Sequence, residues 1–487
     1  MIIGGREVSS ASGDTFSSVN PTTGLEWATM PDAGSLDVDR AVDAARDSFE
    51  TGPWRTLSAT RRGRLMMRLA DRVLERADEI ATVEVRENGK LFKEMRTQLG
   101  IVPDWLYYFG GLADKIEGTV IPLDRTSILN YTLREPLGVV GIITPWNSPV
   151  LLTAMGLCPA LAAGNTVVIK PSEMASAGVL EFARLAADAG FPPGVINVVT
   201  GGPSAGEALV AHPDVAKVTF TGGQRGGRQI AQTVGARLGK YTLELGGKSP
   251  NIVFADADLD AATAGVLAGI YGAGGQTCVA GSRALLERPV FDEVLERLRE
   301  RADTIRLGDP LNAETQMGPM ATEQQLMNVE QFVSDAESDG ASVVSGGARA
   351  QQPGLGDGFF FQPTILRNVP AGSAVLSREV FGPVLAVIPF DGDDEAAQIA
   401  NDTVYGLAAG IWTQNVKRAH RLARRIQAGT VWINTYRAVT FNSPFGGYKQ
   451  SGIGHVNGAS AVDEYLQTKS VWVELDDELQ DPFTLKS

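Results

Sequence analysis

The sequence predicts an α/β protein made of a doubly wound parallel-sheet unit, a second α/β unit and a small added β sheet. The first unit is read from alternation: from Gly138 onward short β-branched runs alternate with helical stretches, as right-handed βαβ crossovers require. A second block of apolar runs, starting near Asn251, repeats the pattern. Two further stretches alternate polar and apolar residues and fit neither block.

In chain order, Val38, Ala41, Val42, Ala45 and Phe49 recur at helical spacing, and a second helix is expected over about 60–88. The first 110 residues therefore read as scaffold around the sheet. TSILNYTLRE (126–135) alternates like a strand of the small sheet. The strands of the first unit are GVVGII (138–143), TVVIK (166–170), VINVV (195–199) and KVTFT (217–221). A helix over 176–189 ends at Gly190 and the Phe-Pro-Pro-Gly that follows. The second unit contributes SRALL (282–286), VLAVIPF (384–390) and TVWINT (430–435), and VWVEL (471–475) returns to the small sheet. The expected domains are 1–120 with 138–246, then 247–461, with 121–137 and 462–487 forming the small sheet. No internal repeat or low-complexity tract is evident.

A chain of 487 residues is too long for one core, and 44% hydrophobic with 21% charged content fits a folded globular protein. A net charge of -14 repels phosphate backbones and anionic lipid, so neither nucleic acid nor membrane is the expected partner, and a small molecule is. Between Pro136 and Ile169 there is no Asp, Glu or Arg and no Lys. That run is long enough to span a bilayer, but Pro145, Pro149, Pro159, Asn147 and Asn165 divide it into pieces of strand and helix length. Cys158 and Cys278 lack CxxC spacing, and His212, His420 and His455 are scattered, so neither a disulfide framework nor a metal site is expected. The start MIIGGREVSS has no signal-peptide pattern, which leaves the cytoplasm as the simplest location.

Several segments carry candidate chemistry. Cys278 lies in GAGGQTCVAGSR (272–283), where small residues let substrate and cofactor approach the backbone. Cys158, by contrast, continues an apolar helical face with Leu151, Met155, Leu161 and Ala162 and reads as core. Glu244 enters a Gly-Gly turn in LELGGKSPN (243–251). Asn147 in TPWNSP (144–149) is an amide donor held between prolines, suited to a developing oxyanion. Lys170 and Glu173 in IKPSE (169–173) follow a strand at the sheet end where nucleotides bind, and FTGGQRGGR (220–228) offers backbone amides at a helix N-terminus. Each signal alone is weak, since turns and solvated surfaces use the same residues.

Together they carry more. PWN (145–147), KPSE (170–173), FTG (220–222), LELGGKSP (243–250), GQTC (275–278), EVFGP (379–383) and PFGGYKQSG (444–452) occur in this order, and the chain thereby resembles the aldehyde dehydrogenase superfamily from about residue 15 to 475. The resemblance implies a Rossmann-like NAD-binding domain, a catalytic domain and an oligomerisation sheet, in a homodimer or homotetramer. It implies Cys278 as nucleophile, Glu244 as general base, and Asn147 with the Cys278 amide as oxyanion hole. Trp146, Lys170, Glu173, Gly222, Gly223, Glu379 and Phe381 would contact NAD, with NADP as the alternative cofactor. Gly223 stands where many members carry a serine, so backbone amides must serve the pyrophosphate there.

The implied reaction oxidises an aldehyde to an acid through a thioester that water resolves. Rival readings are a CoA-acylating semialdehyde dehydrogenase, whose members usually lack the base, a cysteine esterase on the same thiol, and a non-catalytic protein keeping the fold. The substrate tunnel is expected at Ser148, Met155, Thr277, Val279 and Val439. Ser148 replaces a common aromatic, and no Lys or Arg aligns with the tunnel, so a bulky, uncharged aldehyde is expected.

Overall fold

A computed structural model describes residues 1–352, 354–476 and 483. The part of the 462–487 segment at 477–482 and 484–487 lies outside the described residues. The first sheet has eight strands, and its parallel centre runs in the spatial order Lys240–Glu244, Val215–Thr221, Val139–Thr144, Thr166–Pro171, Ile196–Val198. The strand Thr166–Pro171 is buried throughout, which is why TVVIK reads as an unbroken apolar run rather than an alternating one. Strand order reverses at Val139–Thr144, whose neighbours are the next strand in sequence on one side and Val215–Thr221 on the other. In such a sheet the crevice beyond the carboxyl ends at the reversal is where ligands bind.

The uncharged stretch from Pro136 to Ile169 is strand, helix and strand. Pro149 opens the helix Pro149–Ala163, where its missing N–H costs nothing, and Gly164 closes it in a left-handed conformation. This helix is buried on nearly every side, including Cys158, so its apolar residues do not mark a single face as the spacing suggested. No helix among the described residues is long and apolar enough to cross a membrane. The single helix expected over about 60–88 is in fact two, Ala59–Glu75 and Ala77–Asn88, because Arg76 leaves helical geometry between them.

A second sheet of seven strands contains Pro250–Val253, Arg283–Glu287, Val384–Phe390, Ala408–Trp412 and Thr430–Ile433 as a parallel set. The third sheet pairs Leu466–Glu474 with Ile128–Pro136 over their whole length and adds Val120–Ile121. After the second sheet the chain returns to the first: Gly452–Ile453 pairs antiparallel with Lys240–Glu244. That return places the end of Lys240–Glu244 between the two large sheets, since Leu245 N donates to Ser451 O at 2.9 Å.

Candidate active site

The loop bearing Cys278 begins where the helix Leu259–Tyr271 ends. Ala273, Gly274 and Gly275 follow one another with positive φ of 57°, 61° and 71°. A Cβ at Gly275 would lie 2.1 Å from Gly382 O, so glycine is required for the loop to press against EVFGP. Gln276 anchors the loop: its Nε2 donates to Pro319 O at 3.2 Å and its Oε1 accepts from Ala321 N at 2.8 Å. Cys278 is half-buried. Burial, reinforced by the negative charges of Glu379 and Glu244, pushes its thiol up to about 12, with Lys90 pulling the other way.

Asn147 stands just past the strand Val139–Thr144, at the reversal of strand order. Its Nδ2 donates to Gln276 O at 3.2 Å, which leaves the second N–H of the amide uncommitted among the described contacts. Trp146 beside it meets Phe381 edge to face at 5.3 Å.

Glu244 ends its strand level with Thr221. Its carboxyl is buried and neither oxygen has a hydrogen-bond partner, so desolvation raises its pKa well above the usual carboxylate range. A buried carboxyl without partners is costly in a fold that needs it only for packing, and it faces a cavity here.

That cavity, of about 200 Å³, is lined by Asn147, Glu244 and Cys278 together with Trp146, Gly222, Gly223, Glu379 and Phe381. Motifs far apart in sequence thus meet in one place. Leu152, Leu245 and Gln325 also line it and escaped the sequence reading. Gln325 donates to Val380 O at 2.9 Å and Phe381 O at 2.8 Å, holding Phe381 in its left-handed conformation, and no local pattern announces that role. Glu379 accepts from Gly247 N at 3.1 Å; burial pushes its pKa up to about 7 against the pull of that amide and Lys248.

Lys170 and Glu173 do not reach this cavity. Lys170 lines a neighbouring one of about 460 Å³ with Phe220, Gly226 and Ile230, and its Nζ lies 3.5 Å from Glu173 Oε2. The two cavities flank the N-terminus of the helix Gln224–Ala236, where Gly223 has open space around its missing side chain. A dinucleotide fits this arrangement: an apolar slot at one end, free amides at a helix N-terminus in the middle, and the thiol at the other end.

The expected tunnel residues are not gathered in this way. None of Ser148, Met155, Thr277, Val279 and Val439 lines the cavity. Met155 and Val279 are packed in the main core cluster, Ser148 is buried, Thr277 is half-buried and Val439 is exposed. A cation from outside those five positions stands beside one of them: Lys90 Nζ donates to Ser148 Oγ at 3.3 Å. Lys90 escaped notice because it arrives from a turn between helices remote in sequence. Burial pushes its pKa down to about 8.

The aldehyde dehydrogenase family model matches residues 8–471. A (Z)-2-((N-methylformamido)methylene)-5-hydroxybutyrolactone dehydrogenase of Acinetobacter baylyi is 46% identical over 474 residues, covering 97% of this chain and 96% of the relative. An aldehyde dehydrogenase of Alternaria alternata is 43% identical over 483 residues, covering 98% and 96%. Among solved structures, the NAD+ complex of an aldehyde dehydrogenase from Bacillus cereus superposes with a TM-score of 0.95 at 42% identity, covering 98% of this chain and 96% of that one. A betaine aldehyde dehydrogenase from Staphylococcus aureus in complex with NAD+ gives 0.97 at 36% identity, covering 99% and 96%.

Proposed function

Because the chain belongs to the aldehyde dehydrogenase family and so carries out NAD(P)-dependent oxidation of small-molecule aldehydes, we propose that Cys278, Asn147 and Glu244 perform it. The observation that carries this reading is their convergence on one cavity with Glu379 and Phe381. Once its thiol has given up its proton to solvent, Cys278 Sγ adds as the thiolate to the aldehyde carbon, and the resulting alkoxide is held by the free N–H of Asn147 Nδ2 and the Cys278 amide. When bound, NAD supplies the hydride acceptor. Loss of hydride from the adduct leaves a thioester on Cys278. Glu244, as the carboxylate, then takes a proton from water, whose oxygen attacks the thioester carbonyl; the C–S bond breaks, the acid leaves, and the departing thiolate takes up the proton held by Glu244, restoring thiol and base.

Residues 1–120 and 138–246 are read as the NAD-binding domain and 247–461 as the catalytic domain, with Gly452–Ile453 reaching back to the former. Trp146, Gly222, Gly223, Glu379 and Phe381 are assigned to the nicotinamide half of NAD, and Lys170 with Glu173 to the adenosine ribose. The small sheet is assigned to a homodimer or homotetramer contact, supported by the exposed apolar Leu129, Leu133, Trp472 and Val473 on its strands. A reducing compartment such as the cytoplasm suits a chain whose nucleophile must stay a free thiol.

For the substrate, a bulky aldehyde remains the reading, but the restriction to uncharged ones is withdrawn in view of Lys90 beside Ser148. The Acinetobacter relative, named for a substituted hydroxybutyrolactone, supports a ring-sized substrate. Cys278→Ala tests the mechanism: loss of NADH formation supports it, and sustained turnover overturns it.

A further inference from the structure

The turn between the helices Ala77–Asn88 and Phe92–Leu112 touches both loops of the site. On one side it holds the Asn147 loop. Asn88 Nδ2 donates to Trp146 O at 3.4 Å, Lys90 Nζ to Ser148 Oγ at 3.3 Å, and Glu84 Oε1 accepts from Val150 N at 3.0 Å. These bonds fall on both flanks of Asn147. On the other side the turn presses against the support of the Cys278 loop. Gly89 is left-handed, and a Cβ on it would lie 2.6 Å from Pro319 Cγ, on the residue whose carbonyl holds Gln276.

Glu94 closes the connection. Its Oε2 accepts from Leu91 N at 3.3 Å, fixing the carboxylate at the start of its own helix, and its Oε1 accepts from Ala273 N at 2.8 Å. Ala273 is the one non-glycine in the left-handed run of the Cys278 loop. For a residue with a Cβ such a conformation is strained and persists only where the surroundings over-determine it. Glu94 is the side chain that bonds its amide.

We propose that Glu94 is a positioning residue, and that the turn Asn88–Glu94 sets the distance between the Cys278 thiol and the Asn147 amide by bonding both loops. The proposal rests on the roles given above to Cys278 and Asn147. Its energetic logic is that a displacement of about 1 Å in a reacting constellation costs on the order of 10²-fold in rate. Among the described residues the Glu94 carboxylate bonds only Leu91 N and Ala273 N, neither of which is assigned to NAD.

The test compares Glu94→Ala, Glu94→Gln and Glu94→Asp in the full-length protein, with thermal melts to confirm that each is folded. Glu94→Ala is expected to lower kcat about tenfold or more, with NAD affinity by fluorescence titration unchanged. Glu94→Gln keeps an acceptor for Ala273 N and is expected to recover most of kcat, while Glu94→Asp, one methylene short, stays slow. In an Asn147→Ala background the cost of Glu94→Ala should shrink to under about threefold, because the donor being positioned is gone. A folded Glu94→Ala with wild-type kcat, or strict additivity with Asn147→Ala, overturns the proposal. If Glu94→Ala does not fold, equal kcat for the Gln and Asp variants overturns it. Activity persisting in Cys278→Ala would instead bring down the mechanism itself, so the two failures are distinct.

Discussion

Asn147 Nδ2 donates to Gln276 O at 3.2 Å, so the amide assigned to the oxyanion is tied to the loop that carries Cys278. One of its N–H groups holds the loop and the other remains for the alkoxide. Asn147→Ala removes both and is expected to lower kcat by about 10²–10³, the usual cost of one oxyanion donor. Steady-state kinetics with saturating NAD check this; a kcat within a few-fold of wild type would remove Asn147 from the oxyanion hole.

The Cys278 thiol is pushed up to about 12, so without cofactor the thiolate fraction should climb with pH across the neutral and mildly alkaline range. Inactivation by iodoacetamide is expected to accelerate steadily from roughly pH 7 to pH 10. Glu379→Gln removes a like charge, lowers the thiol pKa and should speed inactivation at fixed pH. Cys158 is fully enclosed and should stay unlabelled in the folded protein, and Cys158→Ala should leave turnover largely intact. A rate that levels off below pH 8 would contradict the stated environment of Cys278.

Glu173 is half-exposed near Lys170; in the adenosine-ribose role proposed for it, its carboxylate accepts from ribose hydroxyls and repels a 2′-phosphate. The expected outcome is a higher kcat/KM with NAD than with NADP, and a narrowed ratio in Glu173→Ser. An equal or better wild-type value with NADP would overturn the assignment of Glu173.

Ser148 is small, buried and bonded to Lys90, and an aromatic ring there would displace the lysine and fill the space beside Asn147. Across a series from acetaldehyde to benzaldehyde, kcat/KM is expected to rise with size in the wild type and to lose that trend in Ser148→Phe. Acetaldehyde as the best substrate would count against the bulky-aldehyde reading.

Part of each large sheet is legible in the sequence, where strands are buried and dense in β-branched residues, while Lys240–Glu244, Pro250–Val253 and Ala408–Trp412 were not among the expected strands. TVVIK becomes Thr166–Pro171, and VLAVIPF becomes Val384–Phe390. The site is legible because its residues fall in short motifs, with Asn147 just past Val139–Thr144 and Glu244 at the end of Lys240–Glu244, where a doubly wound sheet collects them. Glu84, Asn88, Lys90 and Glu94 were not, since polar residues in a helical region read locally as solvated scaffold. Their bonds go to residues distant in sequence, which no periodicity reports. None of the expected tunnel residues lines the Cys278 cavity, for a related reason. Residue size at Ser148 or Met155 says how much room is left, but not what enters it. Lys90 bonds Ser148, and Phe441, from a loop after Thr430–Ile433, packs 5.1 Å from Tyr108 in the cluster that Leu151, Leu152 and Cys278 border.

In the proposed mechanism oxidation passes through a thioester on Cys278 that Glu244 is needed to hydrolyse. Glu244 is buried with both oxygens unpartnered, and Gln in its place keeps the shape but cannot take the proton from water. Glu244→Gln, mixed with NAD and an aldehyde, is expected to release a burst of about one NADH per active site and then stall. The most direct measurement is the mass of the Cys278 peptide from that stalled enzyme. With NAD present the peptide is expected to carry the acyl group, its mass raised by that of the aldehyde less two hydrogens, and without NAD it is expected to stay unmodified. NADH formation with an unmodified Cys278 peptide would contradict it.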